Sequence, residues 1–211
     1  MIRLRRLARP VATGVLILGL AASLQACVGV MIGGAVVGSL AATDRRTLGA
    51  QTEDKEIALK ASSRLSPIIG DAGHVNVTSY DRKVLLTGEV KDEAMKQAAE
   101  HEVAQITGVQ GVMNELEIIG VSSFTSRSND VLITTKVSAS FVDQRELNAN
   151  SIKVVTERGT VYLLGRVTDH EGKIAAQVAS GVSGVTRVIK IFEYISEDEL
   201  KQMNSAQGAR S

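Results

Sequence analysis

The chain is poor in the residues that build most catalytic and metal sites, with one cysteine, Cys27, and three histidines among 211 residues. A single cysteine cannot form an internal disulfide. His74, His101 and His170 fall in a predicted strand start, a helix and a helix cap, and the His101-Glu102 pair lacks the second histidine of the zinc-protease motif. No glycine-rich segment ends in the Gly-Lys-Ser/Thr of a phosphate-binding loop. We therefore expect no enzymatic activity, no cofactor and no metal site.

Residues 1–26 predict a secretory signal. Several arginines and no acid precede an apolar segment, Val11–Leu24, and a small-residue cleavage site follows beside Cys27. This order of basic, apolar and small residues is that of a signal peptide. Two alternatives remain open: a plain signal with an accidental cysteine, and a transmembrane anchor. The apolar segment is shorter than the roughly 20 residues that a spanning helix needs.

The segment Leu24-Gln25-Ala26-Cys27 resembles the bacterial lipobox. That resemblance implies cleavage before Cys27, diacylglycerol on its sulfur, and a further acyl chain such as palmitate on its new amine. Two or more chains anchor a protein stably, because each buried CH₂ contributes about 0.8 kcal/mol. The following residue is Val28 rather than Asp. In Gram-negative bacteria the sorting rule for such lipoproteins then implies a periplasm-facing position on the outer membrane.

Removal of the signal changes the charge of the protein. The whole chain has 24 Lys+Arg and 23 Asp+Glu, and the signal contains four of the arginines and no acid. The mature chain therefore has 20 basic and 23 acidic residues, a formal charge of −3. Binding to bulk nucleic acid depends on a basic surface, so the composition gives it no support.

Residues 27–51 are expected to link the acylated N-terminus to the folded body. The apolar stretch Val28–Ala42 is glycine-rich, with pairs of glycines four positions apart. That spacing is typical of helices packed closely in lipid, which suggests a segment that associates with the membrane or with itself. The alternative is a flexible tether, because each glycine disfavours a helix by up to ~1 kcal/mol. Thr43–Arg46 is expected to mark the exit into water.

The body of the chain contains one pattern twice, over residues 52–120 and 128–195. Each copy begins with an amphipathic helix, and Asp54 or Asp130 in its predicted first turn suits the positive end of the helix dipole. A hairpin with alternating apolar residues, a second helix and a last strand follow in each copy. We expect an α+β fold of two α-β-β-α-β domains, each with two helices on one face of a three-stranded mixed sheet.

Caps and turns mark the boundaries within this repeat. A capping box, Thr168 to Glu171, is expected to start the second helix of the second copy. Each second helix ends in Gly-x-x-Gly, at residues 108–111 and 181–184. The same spacing clamps nucleic acid in KH domains, but glycines are also ordinary helix stops. A serine-rich linker over 120–128, and a short helix with a disordered tail over 196–211, complete the predicted organisation.

The order of these features resembles tandem BON domains. The second copy is the more typical, with Ser128-Asn129-Asp130, the helical segment 133–137 and the turn Val182–Val185. With the lipobox, the chain is similar to outer-membrane lipoproteins that contain two BON domains. The resemblance implies binding of anionic, phosphatidylglycerol-like phospholipid by the first helix of the second domain. It also implies support of envelope integrity, outer-membrane protein assembly and cell division, with the outer-membrane assembly machinery as a candidate partner.

The first helix of the second copy carries the predicted lipid contacts. Val131, Leu132 and Ile133 are consecutive, so they cannot all face one core at 3.6 residues per turn. Leu132 stands where the family pattern usually has tryptophan, a residue that this chain lacks. The alternative is a surface leucine without a function. The predicted lipid-binding residues are Arg127, Ser128, Asn129, Val131, Leu132, Thr135 and Lys136.

Two functions remain open from the sequence. The first is a lipid-anchored module that binds anionic phospholipid on the periplasmic side of the outer membrane. The second is an envelope adaptor whose paired domains dock a protein partner, while the lipid on Cys27 serves only as a tether.

Overall fold

The computed structural model of the protein describes residues 44–208. The helices in this range are α1 (Leu48–Ile69), α2 (Glu93–Ala104), α3 (Phe124–Val142), α4 (Asp169–Ser180) and α5 (Glu197–Gly208). The strands are β1 (His74–Tyr80), β2 (Lys83–Val90), β3 (Gly111–Ile118), β4 (Ile152–Glu157), β5 (Thr160–Val167) and β6 (Arg187–Tyr194). Within residues 44–208, no helix combines the length and the apolar character needed to span a bilayer.

Each copy of the repeat folds as the predicted α+β unit. In the first domain β1 pairs antiparallel with β2, and β2 pairs parallel with β3, which gives the sheet order β1-β2-β3. The second domain repeats this arrangement as β4-β5-β6. Helices α1 and α2 bury their apolar sides on the first sheet, and α3 and α4 do so on the second. The prediction of two helices on a three-stranded mixed sheet is confirmed.

A buried aspartate in the first helix of each domain holds the turn of the following hairpin. Asp54 accepts hydrogen bonds from the backbone N–H groups of Asp81 at 2.8 Å and Arg82 at 2.9 Å. Asp130 accepts from the N–H groups of Arg158 at 3.0 Å and Gly159 at 2.9 Å. Each carboxylate thus satisfies two donors that the tight turn would otherwise leave unpaired.

The helix-dipole role predicted for these two aspartates is wrong. Helix α1 begins after its N-cap Thr47, α3 begins after its N-cap Ser123, and neither helix has an acid in its first turn. Each helix starts six residues before its aspartate, so the aspartates lie in the second turn. Their carboxylates bind the hairpin instead of the helix end.

The two Gly-x-x-Gly segments are not equivalent in the structure. Gly108 and Gly184 occupy the same place, with φ of 95° and 99°. A Cβ on Gly108 would lie 3.1 Å from an oxygen of Glu53 in α1, and one on Gly184 would lie 3.0 Å from Ile133 in α3. Gly181 instead caps α4 with φ −80°. The glycines at 108 and 184 are therefore packing requirements, and the shared spacing does not describe a nucleic-acid loop.

The sheet faces opposite the helices pack against each other. Tyr80, Leu85, Tyr162 and Leu164 form a buried cluster there, lined by partly buried apolar residues of β4 and β6. The Tyr80 hydroxyl donates to the Ser151 carbonyl and accepts from a backbone N–H of β5, both at 3.3 Å. Burial raises the pKa of both tyrosines to about 12. The central strands β2 and β5 are consequently buried on both faces.

The segment before α1 packs on the protein and does not mark an exit into water. Arg45 is buried and pairs with Glu171 of α4. Arg46 pairs with Asp54 at 2.8 Å, and its guanidinium lies 3.9 Å from the centre of the Tyr80 ring. The end of the segment predicted as a tether therefore belongs to the folded structure.

The linker and the tail also differ from the prediction. Helix α3 begins at Phe124, so the link between β3 and α3 is residues 119–123 rather than 120–128. Helix α5 continues through Asn204 to Gly208, where a disordered tail was expected from the polar composition. Ser196 lies just before α5. Its hydroxyl accepts a hydrogen bond from the Glu199 N–H at 3.1 Å, as expected of a residue that caps the start of a helix.

Candidate membrane-binding surface

Helix α3 turns one apolar face toward the core of the second domain. Ile133, Val137 and Phe141 are each at most 1 % exposed. Asp130 lies on the same side, where it binds the hairpin turn. The remaining side of α3 is free for contacts outside the domain, which fits the expectation that Val131, Leu132 and Ile133 cannot all face one core.

The predicted lipid contacts lie mostly on that free side. Val131 is 65 % exposed and Leu132 is 58 % exposed. Thr135 and Lys136 are exposed as well, and the Thr135 hydroxyl donates to the Val131 carbonyl at 2.9 Å. Of the remaining predicted residues, Asn129 is exposed, whereas Arg127 and Ser128 are half-buried.

Two further apolar residues of α3, absent from the sequence-based set, extend this surface. Phe124 is 80 % exposed and Val142 is 73 % exposed. Phe124 lies seven positions before Val131, and Val142 lies eleven after it, so the three share one side of the helix. This spacing was readable in the sequence, but residues 120–128 were assigned to a linker. We call Phe124, Val131, Leu132 and Val142 the apolar stripe of α3.

The charges of α3 suit an anionic surface. The helix contains a single acid, Asp130, and that carboxylate is 5 % exposed and committed to two backbone N–H groups. Arg127 and Lys136 are its cations. Between Phe124 and Val142 the exposed side of α3 therefore combines apolar side chains with positive charge, and the exposed carboxylate that follows is that of the C-cap residue Asp143. Such a helix can place apolar groups among acyl chains while its cations meet anionic headgroups.

Helix α1 of the first domain has a different surface. Asp54 is equivalent to Asp130, so Glu56 occupies the place of Leu132. Glu56 pairs with Lys60 at 2.6 Å, and Lys60 occupies the place of Lys136. Leu59 is 73 % exposed, but it lies next to this ion pair. The two helices thus provide a natural comparison between an apolar and a charged version of one surface.

Two other groups complete the candidate sites. Cys27, the predicted acylation site, lies outside the residues that the structure describes. His74, Glu89 and Glu157 come together between the domains, with ligand atoms within 4.8 Å of one another. No pattern in the sequence predicts this cluster, because its members lie on three strands.

Comparisons with known proteins agree with the tandem architecture. The BON domain family matches residues 54–120 and 129–195. Outer membrane lipoprotein DolP of Haemophilus influenzae is 40% identical over 183 residues, which cover 85% of this chain and 94% of the relative. A 21 kDa hemolysin of Actinobacillus pleuropneumoniae is 32% identical over 157 residues, covering 72% of this chain and 79% of the relative. Neither relative is named as an enzyme.

A search of solved structures finds CdsD, a structural protein of the type III secretion system of Chlamydia trachomatis. The match covers 71% of this chain and 97% of the CdsD chain, with 9% sequence identity and a TM-score of 0.29. A TM-score this low carries no argument about the present chain.

Proposed function

Since the chain belongs to the BON domain family and is an outer-membrane lipoprotein with two such domains, we propose that it binds anionic phospholipid through α3. Acylated Cys27 holds it on the periplasmic side of the membrane. The observation that carries the proposal is the exposed side of α3, where the apolar stripe and two cations occur without an exposed carboxylate between Phe124 and Val142.

Binding combines two modest contributions. The apolar stripe gains about 25 cal/mol for each Å² that is removed from water. Arg127 and Lys136 each add about 1 kcal/mol close to an anionic bilayer. Because the lipid anchor keeps the protein at the surface, this weak binding becomes an intramolecular event at an effective concentration of order millimolar. The anchor therefore supplies proximity and α3 supplies lipid selectivity.

The proposal extends to envelope integrity, outer-membrane protein assembly and cell division, with the outer-membrane assembly machinery as a partner. Its support here is the resemblance to lipoproteins with two BON domains. In this role α3 would concentrate the protein on membrane regions rich in phosphatidylglycerol-like lipid.

The test is co-sedimentation of an anchor-free chain with phosphatidylglycerol vesicles at two salt concentrations. A chain of residues 43–211 contains the whole compact unit and all three apolar clusters. Leu132→Glu should weaken binding, because it replaces an apolar contact with a charge that must stay hydrated. Lys136→Glu should weaken binding and reduce its salt sensitivity, since it removes a screened attraction.

Helix α1 supplies the matched controls. Leu59→Glu and Lys60→Glu change an exposed leucine and the equivalent lysine in the first domain, and we expect both to leave vesicle binding nearly unchanged. Circular dichroism would verify that all four variants are folded. Equal losses for the α1 and α3 variants would argue against α3 as the specific surface.

The adaptor function remains as an alternative because of one observation. Strand β3 lies at the edge of its sheet, and Ile118, Ile119 and Val121 at its end are each about half exposed, at 50 %, 47 % and 46 %. An edge strand with apolar neighbours can add a strand from a partner. Unchanged vesicle binding by folded Leu132→Glu and Lys136→Glu proteins would favour this function.

A further inference from the structure

Three potential metal ligands from both domains meet at the interface between the sheets. His74 opens β1 and lies directly opposite Glu89 of β2 in the sheet register. Glu157 ends β4 of the second domain. One ligand atom from each of the three residues lies within 4.8 Å of the others.

The carboxylate of Glu89 lacks the hydrogen bonds that a buried acid requires. Its side chain is 0 % exposed, and neither oxygen accepts a hydrogen bond from any residue in 44–208. The nitrogens that face it are His74 Nδ1 at 3.7 Å and a guanidinium nitrogen of Arg158 at 3.8 Å, both beyond hydrogen-bond distance. His74 Nδ1 is also buried without a hydrogen-bond partner among the described residues. The large majority of buried polar groups in native proteins are paired, so these atoms point to a bound ligand.

The charge around the cluster is unbalanced. Glu89, Glu157 and the nearby Glu117 contribute three carboxylates, whereas Arg158 contributes one guanidinium. Arg158 lies closer to Glu117, at 3.2 Å, than to Glu89. Because Glu117 is 43 % exposed and can be hydrated, Glu89 and Glu157 are the two buried carboxylates of the cluster, and neither has a guanidinium within hydrogen-bond distance among residues 44–208. A divalent cation would balance them.

We propose that His74, Glu89 and Glu157 bind a divalent cation of borderline softness, such as Zn²⁺, which bridges the two BON domains. One imidazole and two carboxylates are ligands that zinc takes together, whereas Ca²⁺ and Mg²⁺ prefer all-oxygen sites with more ligands. A water molecule would supply the fourth ligand. Metal–ligand bonds of about 2.1 Å place tetrahedral ligands roughly 3.4 Å apart. His74 Nδ1 and Glu89 Oε2, at 3.7 Å, are already close to this separation, and no pair of ligand atoms has to close by more than about 1.4 Å.

The surroundings are arranged to orient one of these ligands. Asn76 Nδ2 donates a hydrogen bond to Glu157 Oε2 at 2.8 Å. Such hydrogen bonds from outside the metal shell fix the rotamer of a ligating carboxylate. His74 is partly accessible, with 24 % of its side chain exposed, which gives an ion a route to the cluster. Since the ligands come from both domains, the bound ion would stabilise the packing of one sheet on the other.

The experiment uses the mature acylated protein in detergent micelles, first stripped with a chelator. Calorimetric titration with Zn²⁺ should show one site, and Zn²⁺ at about 100 times its Kd should raise the unfolding midpoint by roughly 5 °C or more. Mg²⁺ at the same concentration should do neither. Co²⁺ should give the visible absorption of a tetrahedral complex. Absence of one-site Zn²⁺ binding to the acylated parent protein would overturn the proposal.

The variants assign the site to these residues. Glu89→Gln and Glu157→Gln should each weaken Zn²⁺ binding by roughly 10- to 100-fold or more. The matched control is His170→Gln, since His170 and Glu146 form another His–Glu pair at 2.8 Å, but on the exposed surface. It should bind as the parent does. Arg158→Gln should bind Zn²⁺ at least as tightly, because it removes a competing cation.

One result would replace the metal with a shared proton. If Glu89→Gln raises the unfolding midpoint and Zn²⁺ has no effect on parent or variant, the two carboxylates share a proton and the proposal is wrong. Equal Zn²⁺ binding by the parent and by both Glu→Gln variants would likewise overturn it, because the ion would then lie elsewhere.

Discussion

Arg45 and Glu171 form a buried bidentate ion pair across 126 positions of the chain, with hydrogen bonds of 2.7 and 2.6 Å. Arg45 also donates to the Arg166 carbonyl at 2.7 Å. Glu171 is at the same time the acid of the capping box that starts α4, with Thr168. Arg45, which precedes the first domain, therefore binds to the second domain. This pair and the sheet-to-sheet cluster together hold the two BON domains in one arrangement.

The first prediction concerns the strength of this pair. Arg45→Met or Glu171→Gln should each destabilise the protein by about 3–5 kcal/mol, because each leaves a buried charge without its partner. The double variant should lose much less than the sum. Urea unfolding of the four proteins gives the coupling energy. Additive losses would mean that the two side chains do not interact in solution. Arg45→Lys is a useful control, since lysine keeps the charge but cannot form the bidentate geometry.

The second prediction is a loss of stability in acid. Burial alone would raise the pKa of Glu171, but the Arg45 and Thr168 hydrogen bonds outweigh it and lower the pKa below its ordinary value of 4.5. A carboxylate with a lowered folded-state pKa stabilises the protein above its unfolded-state pKa, and this contribution disappears as pH falls through the folded-state value. The stability difference between the parent and Glu171→Gln should therefore be full at pH 6 and shrink progressively below about pH 4.5. A difference that is constant from pH 6 to pH 3 would contradict this.

The third prediction compares the two hairpin aspartates. Asp130→Ala should cost about 2–4 kcal/mol, because two backbone N–H groups of the turn lose their acceptor. Asp54→Ala should cost at least as much, since Asp54 also accepts from Ser79 at 2.6 Å and pairs with Arg46. Chemical denaturation measures both. Asp143→Ala, at the exposed end of α3, should change stability by less than about 0.5 kcal/mol.

The fourth prediction separates the glycines of the second domain. Gly184→Ala should destabilise by at least about 1 kcal/mol, because a Cβ is strained at positive φ and would press on Ile133. Gly181→Ala should be tolerated, since Gly181 has φ −80° and its nearest neighbour to a new Cβ is 3.5 Å away. Thermal unfolding of the two variants tests this. Equal losses of stability in the two variants would contradict the distinct roles of Gly181 and Gly184.

The fifth prediction concerns the lipid anchor. Cys27→Ser should abolish acylation and leave an unprocessed or mislocalised precursor, because no other cysteine is available. Metabolic labelling with a fatty acid, followed by membrane fractionation, measures both consequences. Equal labelling of parent and variant would contradict the lipoprotein assignment of this residue.

Much of the fold was predictable because it depends on local patterns. The apolar spacing of Ile133, Val137 and Phe141 placed one side of α3 in the core, and the Thr168–Glu171 capping box is present as predicted. The exposure of Leu132 followed from the same helical geometry. Phe124 was missed because the start of α3 was placed too late, since polar serines in its first turns concealed the helix; Val142 lies one residue beyond Phe141, the last residue of the buried apolar face.

The elements of each domain, the exposed position of Leu132 and the location of Cys27 can be read from the amino-acid sequence, since they follow from periodicity and from neighbouring residues. The three-dimensional structure was needed to show what Asp54 and Asp130 bind, what Arg45 pairs with, and that His74, Glu89 and Glu157 meet. These contacts join residues that are distant in the chain, and their geometry depends on how one sheet packs on the other. The consecutive apolar residues Val84–Leu86 and Val161–Leu164 indicate strands buried on both faces, but not which surface covers the second face.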